Sequence, residues 1–221
     1  MPEAEFPPVL PNGVSMCTTR IPLLEATRQG LLTTVDHAYQ AAQLLVQARV
    51  DILGFLCTVG TLVLGPSFDA EFSAKMQEQT GIKTLTTAAS VVAALTELRA
   101  KRIVVATPYV QELNVLERSF LEFYGIEVVA MEGMGLTDPD QIREVSPEAA
   151  YRFSRKLWRP DADALFFSCT GVPTFQIIGM LEQDIGRPVV TSNQATLWCM
   201  LKHVGVKARI PGLGLLFSER S

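Results

Sequence analysis

The sequence has few of the residues that build metal sites. Among its 221 residues are two histidines and four cysteines, and the cysteines form no Cys-x-x-Cys pair. A structural zinc site needs closely spaced thiolate or imidazole ligands. The sequence therefore predicts no metal site, and in a reducing compartment it predicts four free thiols, at Cys17, Cys57, Cys169 and Cys199.

Long apolar runs and clustered positive charges are also missing. No apolar run approaches the roughly 20 residues of a membrane span. The opening "MPEAEFPPVLPNG" has neither the basic nor the apolar region of a secretory signal. The net charge is −4, and the 19 lysines and arginines are scattered, so no basic stripe is available for nucleic acid. We therefore predict a cytoplasmic protein that binds neither membranes nor nucleic acid.

Along the chain, segments with the pattern of a β-strand alternate with segments with the pattern of an amphipathic helix. Apolar residues make up 48% of the chain and charged residues 19%, which is typical of a globular protein. Short β-branched runs predict buried parallel strands at 13–21, 50–57, 82–87, 102–108, 126–131, 162–169 and 187–192. Apolar residues at helical spacing predict helices at 34–48, 67–80, 88–100, 109–124, 146–158, 173–185 and 193–204. Such alternation indicates an α/β fold with parallel sheets.

The order of these segments repeats after about half the chain. The second half contains one more opening strand than the first, since "RIVVATPYVQELN" has no counterpart before "EAEFPPVLPNG". We therefore predict two similar lobes related by a pseudo-twofold axis, at 1–100 and 101–204, the first lacking its opening strand. We expect the natural chain to start upstream, and the tail 205–221 to pack back on the first lobe.

Two predicted strands end in Cys-Thr. Cys57 lies in "GFLCTVGT" (54–61) and Cys169 in "FFSCTGVP" (166–173). Ligands bind at the carboxyl ends of parallel strands, so lobes packed face to face would bring both thiols into one cleft. A thiolate is a strong nucleophile and a base when helix N-termini and nearby donors lower its pKa. Backbone N–H groups here, with four threonine hydroxyls, would also hold a carboxylate or an enediolate: Thr58, Thr61, Thr170 and Thr174.

Each of these residues also has a structural interpretation. A single cysteine at a strand end usually packs in the core. Cys57 and Cys169 occupy equivalent positions in the two halves of the chain, and this favours a functional role for both. We assign Cys17, within a predicted strand, and Cys199, on the apolar face of a helix, to the core. The polar side chains at the ends of other predicted strands either bind a substrate carboxylate or have a local structural role, which for Asn193 is that of a helix N-cap. These residues are Thr86, Thr87, Tyr109, Ser192 and Asn193. We give no catalytic role to the two helical histidines, His37 and His203.

These features together resemble the aspartate/glutamate racemase superfamily, most closely its branch of maleate cis-trans isomerases and arylmalonate decarboxylases. The resemblance covers essentially the whole chain. It rests on the paired cysteines and on "VATPY" (105–109), "GLTD" (135–138), "SCT" (168–170) and "SNQATLW" (192–198). It implies two α/β lobes with the active site between them, no cofactor, a small carboxylate substrate and a homodimer.

The resemblance also implies roles for individual residues. In maleate isomerases the cysteine that matches Cys57 adds as a thiolate to the double bond of maleate, and the one that matches Cys169 is the partner acid and base. The adduct rotates about its single C–C bond and eliminates to fumarate. Tyr109 matches a carboxylate-binding tyrosine. With the strand-end argument, this gives a predicted substrate-binding set of Thr58, Tyr109, Thr170, Gly171 and Asn193.

Several alternatives stay open. Racemases of the superfamily use the same cysteine pair to exchange a proton, and arylmalonate decarboxylases keep only the second cysteine, so the presence of both favours an isomerase. Two departures concern the substrate: the family's asparagine-bearing first loop precedes the start of this sequence, and Pro139 follows "LTD" where isomerases have Asn. The sequence thus predicts a dicarboxylate isomerase. The alternatives are an amino-acid or hydantoin-type racemase, an arylmalonate-type decarboxylase and a non-catalytic ligand-binding member of the fold.

Overall fold

A computed structural model describes residues 1–218 and shows an α/β protein built on parallel sheets. Within this range six segments are strands: β1 Leu53–Phe55, β2 Thr84–Thr86, β3 Arg102–Tyr109, β4 Glu127–Leu136, β5 Ala164–Phe167 and β6 Val189–Thr191. Ten are α-helices: α1 Pro2–Glu5, α2 Arg28–Val46, α3 Thr58–Leu62, α4 Pro66–Thr80, α5 Thr87–Glu97, α6 Gln111–Phe123, α7 Pro139–Glu144, α8 Pro147–Leu157, α9 Phe175–Ile185 and α10 Ser192–His203.

The strands form two separate parallel sheets. The larger has the order β4-β3-β5-β6, and the smaller contains β1 and β2. In the larger sheet Val105 of β3 lies opposite Phe166 of β5, and every residue of β5 is buried. Continuous apolar runs of this kind are typical of parallel strands covered on both faces. The predicted α/β class with parallel strands is therefore confirmed.

The smaller sheet has an open edge. Among the described residues β1 pairs with β2 alone, with Phe55 opposite Thr86. The open edge was predicted, but the first half has two strands where three were predicted, against four in the larger sheet. The division into two pseudo-symmetric lobes at residue 101 stays a prediction.

The segment 13–21, predicted as a strand, has no regular secondary structure and pairs with no described strand. Its side chains still alternate: Val14 and Met16 are half-buried against the core, whereas Ser15 and Cys17 are exposed. Assigning Cys17 to the core was therefore wrong. The alternation of half-buried and exposed side chains is present, but a β-strand also needs a neighbouring strand with which to form backbone hydrogen bonds.

The C-terminal tail packs against the larger sheet's helices, in contrast to the predicted packing on the first lobe. The side chain of Gln194 in α10 donates to the carbonyl of Leu213 at 2.8 Å. The N–H of Leu215 donates to the carboxylate of Glu182 in α9 at 3.0 Å, and Leu216 is fully buried. Residues 219–221 lie outside the described part of the chain.

Buried polar contacts between α5 and α10 join the two sheets. The hydroxyl of Thr196 in α10 donates to the hydroxyl of Thr87 in α5 at 3.1 Å, and the Thr87 hydroxyl lies 3.2 Å from the carbonyl of Phe55 at the end of β1. This arrangement fixes the end of β1 relative to the second half of the chain. The carboxyl ends of β1 and β5 thereby face a common space.

Candidate active site

A cavity of about 920 Å³ lies where the two sheets meet. Six of the seven residues predicted from the sequence line it: Cys57, Thr58, Tyr109, Cys169, Thr170 and Gly171. A concave site with convergent polar groups is the usual location of a small-molecule site. The structure therefore brings together the two cysteines and the predicted substrate-binding set, apart from Asn193. The other strand-end candidates do not line the cavity: Thr61, Thr86, Thr87, Thr174 and Ser192.

Cys57 forms the turn between β1 and α3. It is the N-cap residue of α3, with the extended backbone angles φ −149° and ψ 105°. Gly60, in the first turn of α3, lies close to it: a Cβ at this position would stand 3.0 Å from the Cys57 Sγ and 2.8 Å from the ring of Phe55. Glycine at position 60 therefore leaves room for the thiol over the start of the helix.

The pKa of Cys57 does not follow the prediction of an activated thiol. Burial and the nearby Cys169 thiol raise it to about 12, and only the N–H of Gly60 opposes them. Burial penalises the charged form more than one hydrogen bond and a five-residue helix favour it. In the resting protein Cys57 is therefore a protonated thiol, and it must lose its proton to a neighbouring group to act as a nucleophile.

Cys169 has more hydrogen-bond donors than Cys57. Its Sγ accepts from the N–H of Gly171 at 3.2 Å, and the N–H of Val172 and the hydroxyl of Tyr109 also donate to it. Burial raises the pKa of Cys169, and these three donors lower it. The backbone φ of Cys169 is +153°, which residues other than glycine rarely adopt and which is found at functional sites.

Tyr109 ends β3 and is buried, with 3% of its surface exposed. Burial raises its pKa well above the usual value of 10, and the Cys169 thiol and the Glu117 carboxyl raise it further. Tyr109 is therefore a neutral donor whose hydroxyl points at Cys169. The carboxylate contact predicted for it stays a prediction.

Ser192 connects the two cysteine loops. The hydroxyl of Thr58, after Cys57, donates to the Ser192 Oγ at 2.8 Å, and the N–H of Cys169 donates to the same oxygen at 3.0 Å. A second connection runs from the hydroxyl of Thr170 to the carbonyl of Leu56 at 3.2 Å. The residues beside each cysteine are thus bonded across the site, which fixes the separation of the two thiols.

Asn193 has an internal partner where a substrate carboxylate was predicted. Its Nδ2 donates to the carboxylate of Glu5 at 2.6 Å and to the carbonyl of Thr170 at 3.2 Å. The Glu5 carboxylate also accepts from the N–H groups of Thr174 and Phe175 at 2.6 and 2.7 Å, at the start of α9. Asn193 does not border the cavity, so in this structure it positions the Thr170 loop.

Asn193 is also not the helix cap that the alternative interpretation gave. The N-cap of α10 is Thr191, which forms a capping box with Gln194. In the same way, Asp138 caps α7 and Pro139 takes its first position, where the missing N–H costs nothing. Pro139 also lines the cavity.

Glu117, in the middle of α6, was missed by the sequence analysis. Its carboxyl is buried, with 1% of the residue exposed, and it lies within electrostatic range of Tyr109 and Cys169. A signal was present in the sequence, because Glu117 occupies the apolar face of α6 with Leu113 and Phe120. Burying a carboxyl group without a partner is costly, so a glutamate at a core position of a helix is a candidate functional residue.

Neither metal ligation nor membrane insertion is indicated by the described residues. Within 1–218 no three His, Cys, Asp or Glu side chains are grouped so that they would hold a metal ion. No helix in that range is long and apolar enough to cross a membrane. All four cysteines are free.

Comparison with known proteins places this site in a family. A model of the arylmalonate decarboxylase family matches residues 2–217. The arylmalonate decarboxylase of Bordetella bronchiseptica is 26% identical over 197 residues, which cover 87% of this chain and 82% of that protein.

Solved structures of maleate isomerases have the same fold. The maleate isomerase Iso of Pseudomonas putida S16, a cysteine-to-alanine variant with maleate, is 25% identical with a TM-score of 0.88, covering 90% of this chain and 82% of that one. The Nocardia farcinica maleate cis-trans isomerase with a succinylcysteine intermediate has a TM-score of 0.94 at 23% identity, covering 100% and 94%. The family, the α/β fold and the isomerase class predicted from the sequence are thereby confirmed. The chain belongs to the arylmalonate decarboxylase family, in the branch of the aspartate/glutamate racemase superfamily that includes the maleate isomerases.

Proposed function

We propose that the protein isomerises a small cis-dicarboxylate of the maleate type to its trans isomer without a cofactor, with Cys57 as nucleophile and Cys169 as acid and base. The observation that carries the proposal is the pairing of the two thiols. Both line one cavity, and the charge of one raises the pKa of the other. Thiols that interact in this way titrate as a pair.

The pair suits an addition and elimination at a carbon–carbon double bond. The reacting form of the pair has lost one proton: the Cys169 thiolate takes the proton of Cys57, and the Cys57 sulfur then forms a bond to one alkene carbon. The Cys169 thiol gives a proton to the other alkene carbon, so the double bond becomes a single bond about which the adduct rotates. Return of that carbon's proton to Cys169 and loss of the Cys57 sulfur then give the trans alkene. No oxidant or reductant is needed.

The high pKa of Cys57 is compatible with this route. Once the pair has lost one proton, the remaining proton moves from one sulfur to the other, so the transfer itself adds no charge to the site. The three donors at Cys169 stabilise the thiolate that receives the proton. The bonds through Ser192 and Thr170 hold the geometry in which the transfer takes place.

The relatives support the choice of substrate. The Pseudomonas putida S16 structure contains maleate, and other curated relatives, such as that of Alcaligenes faecalis, are also named maleate isomerases. This chain has both cysteines, and an addition with proton delivery uses two.

Proton NMR of the protein with maleate tests the proposal. We expect fumarate with the wild-type protein and none above background with Cys57→Ser or Cys169→Ser. The control is Cys199→Ala, which removes a thiol that does not border the cavity and should leave the rate unchanged. Absence of fumarate with the folded wild-type protein would contradict the proposal. Proton exchange at the α-carbon of an amino acid would then indicate a racemase, and CO₂ release from an arylmalonate a decarboxylase.

A further inference from the structure

The loop at 168–174 joins β5 to α9 and supplies a backbone donor to Cys169. The N–H of Gly171 donates to the Cys169 Sγ at 3.2 Å. This N–H and the Thr170 carbonyl belong to one peptide unit, which is trans. In a planar trans unit the C=O and the N–H point in opposite directions. A group that holds the Thr170 carbonyl on one side therefore aims the Gly171 N–H on the other side.

Asn193 is the group that holds this carbonyl. Its Nδ2 donates to the Thr170 carbonyl at 3.2 Å and to the Glu5 carboxylate at 2.6 Å. Its Oδ1 is buried and has no hydrogen-bond partner among the described residues. The reversed amide would place Oδ1 against two oxygen acceptors. Glu5 and the Thr170 carbonyl therefore fix the orientation of the Asn193 amide, although this leaves Oδ1 unpaired.

Glu5 is also bonded to the far end of the loop. Its Oε1 accepts from the N–H groups of Thr174 and Phe175 at 2.6 and 2.7 Å, and its Oε2 accepts from Asn193. The next residue, Phe6, is buried, and its ring stacks on that of Phe175 with the centroids 6.0 Å apart. Three donors directed at two carboxyl oxygens suit the ionised acid. The network of hydrogen bonds at Glu5 thus holds both ends of the loop.

We propose that Glu5 is a positioning residue, whose hydrogen-bond network aims the Gly171 N–H at the Cys169 sulfur. Neither Glu5 nor Asn193 lines the cavity, so neither touches the substrate. The catalytic meaning rests on the proposed function, in which the Cys169 thiolate takes the proton of Cys57. Burial disfavours this thiolate. A donor that is already aimed at the sulfur stabilises the negative charge without reorganisation of the loop.

Glu5→Gln breaks the network with little change in shape. The glutamine side chain has one acceptor end and one donor end. If its oxygen accepts from the N–H groups of α9, its Nε2 faces the Nδ2 of Asn193, and two donors oppose each other. The Asn193 amide then reverses, so that its oxygen faces the Thr170 carbonyl. The peptide unit turns away, and the Cys169 thiolate loses the Gly171 N–H as a donor.

Alkylation of Cys169 tests this without substrate. The protein is treated briefly with iodoacetamide at pH 8, and the labelling rate of Cys169 is measured by peptide mass spectrometry. The reagent reacts with the thiolate. In Glu5→Gln the rate should therefore fall about tenfold, the equivalent of one pKa unit. A loop that only loosened would expose the thiol and speed its labelling, so an unchanged or faster rate overturns the inference.

Asn193→Ala is a second variant that breaks the same network in its middle. It leaves Glu5 bonded to the N–H groups of α9, so the helix start keeps its acceptor. Labelling of Cys169 should slow by a similar factor. If Glu5→Gln does not fold, Asn193→Ala decides the question, and labelling at the wild-type rate in this variant overturns the inference.

Glu182→Gln is the matched control for a general loss of stability. The Glu182 carboxylate also accepts backbone N–H groups, from Val189 and Leu215 at 3.0 Å, and neither belongs to a cysteine loop. This variant should lose stability in urea much as Glu5→Gln does, and its Cys169 should label at the wild-type rate. Equal slowing of Cys169 labelling in both variants would show that the effect is not specific to Glu5.

The two proposals fail in different ways. With maleate, Glu5→Gln should lower kcat by more than it raises KM, because Cys169 acts in the chemical steps. Slow Cys169 labelling in Glu5→Gln, together with no fumarate from the wild-type protein, would overturn the proposed function and leave the positioning role standing. Fumarate from the wild-type protein, with Cys169 labelling that Glu5→Gln does not change, would overturn the role of Glu5 alone.

Discussion

The Glu117→Gln substitution should stabilise the native protein at alkaline pH and change it little at pH 5. In the unfolded chain the carboxyl titrates near its ordinary pKa of 4.5, and in the native protein burial raises that pKa to about 7. Between these values the unfolded chain releases a proton that the native protein keeps, so native stability is lost as the pH rises from about 4.5 to 7. The loss is complete above pH 7.

The size of the effect follows from the two pKa values. One pKa unit corresponds to about 1.4 kcal/mol, so the rise from 4.5 to about 7 corresponds to about 3 kcal/mol. Glutamine has nearly the shape of the protonated acid and does not ionise. We therefore expect Glu117→Gln to be about 3 kcal/mol more stable than the wild-type protein at pH 8.5 and within about 1 kcal/mol of it at pH 5.

Urea unfolding of both proteins at pH 5 and pH 8.5 measures this difference. The comparison cancels the other acids, which titrate alike in the two proteins. Glu112→Gln, an exposed control, should shift by less than about 0.5 kcal/mol at either pH. An equal stability difference between Glu117→Gln and the wild-type protein at both pH values would refute the argument that Glu117 is buried without a compensating charge.

Three further substitutions test the geometry of the site. Ser192→Ala removes the acceptor for the Thr58 hydroxyl and for the N–H of Cys169. It should lower the free energy of unfolding in urea by about 1–3 kcal/mol and lower the rate of isomerisation. A rate equal to that of the wild-type protein would contradict the connecting role of Ser192. Tyr109→Phe removes a donor that lowers the pKa of Cys169, so that thiol should alkylate more slowly at pH 8, and faster labelling would show that the hydroxyl does not donate to it. Gly60→Ala places a Cβ 3.0 Å from the Cys57 Sγ and should displace the thiol and reduce turnover, whereas full activity would mean that the Cys57 loop adapts without cost.

The sequence was a good guide to regular structure. The predicted strand at 102–108 and the predicted helices at 146–158 and 193–204 agree within two residues at each end with β3, α8 and α10. These segments are long or strongly periodic, and their boundaries carry Pro, Ser or Asp. The short helices α3 and α7 were missed because a turn or two of helix has no measurable period.

The candidate site was predictable where it depended on strand ends. Cys57 and Cys169 were selected because parallel strands place their carboxyl ends at one edge, and both line the cavity. The pKa of Cys57 was not predictable, because the thiol's burial depends on packing between segments that are distant in the chain. The Glu5 carboxylate that accepts from Asn193 had no sequence signal either, since it comes from the opposite end of the chain.

The central claim is that Cys57 forms a covalent bond to the substrate. Peptide mass spectrometry of Cys169→Ser after long incubation with maleate tests it most directly, because water can slowly replace Cys169 in forming the adduct, whereas the variant lacks the base that removes the carbon proton and releases the product. The account predicts a mass increase of one maleic acid on the peptide that contains Cys57 and none on Cys17 or Cys199. An unmodified Cys57 peptide, in a preparation whose wild-type protein forms fumarate, would contradict it.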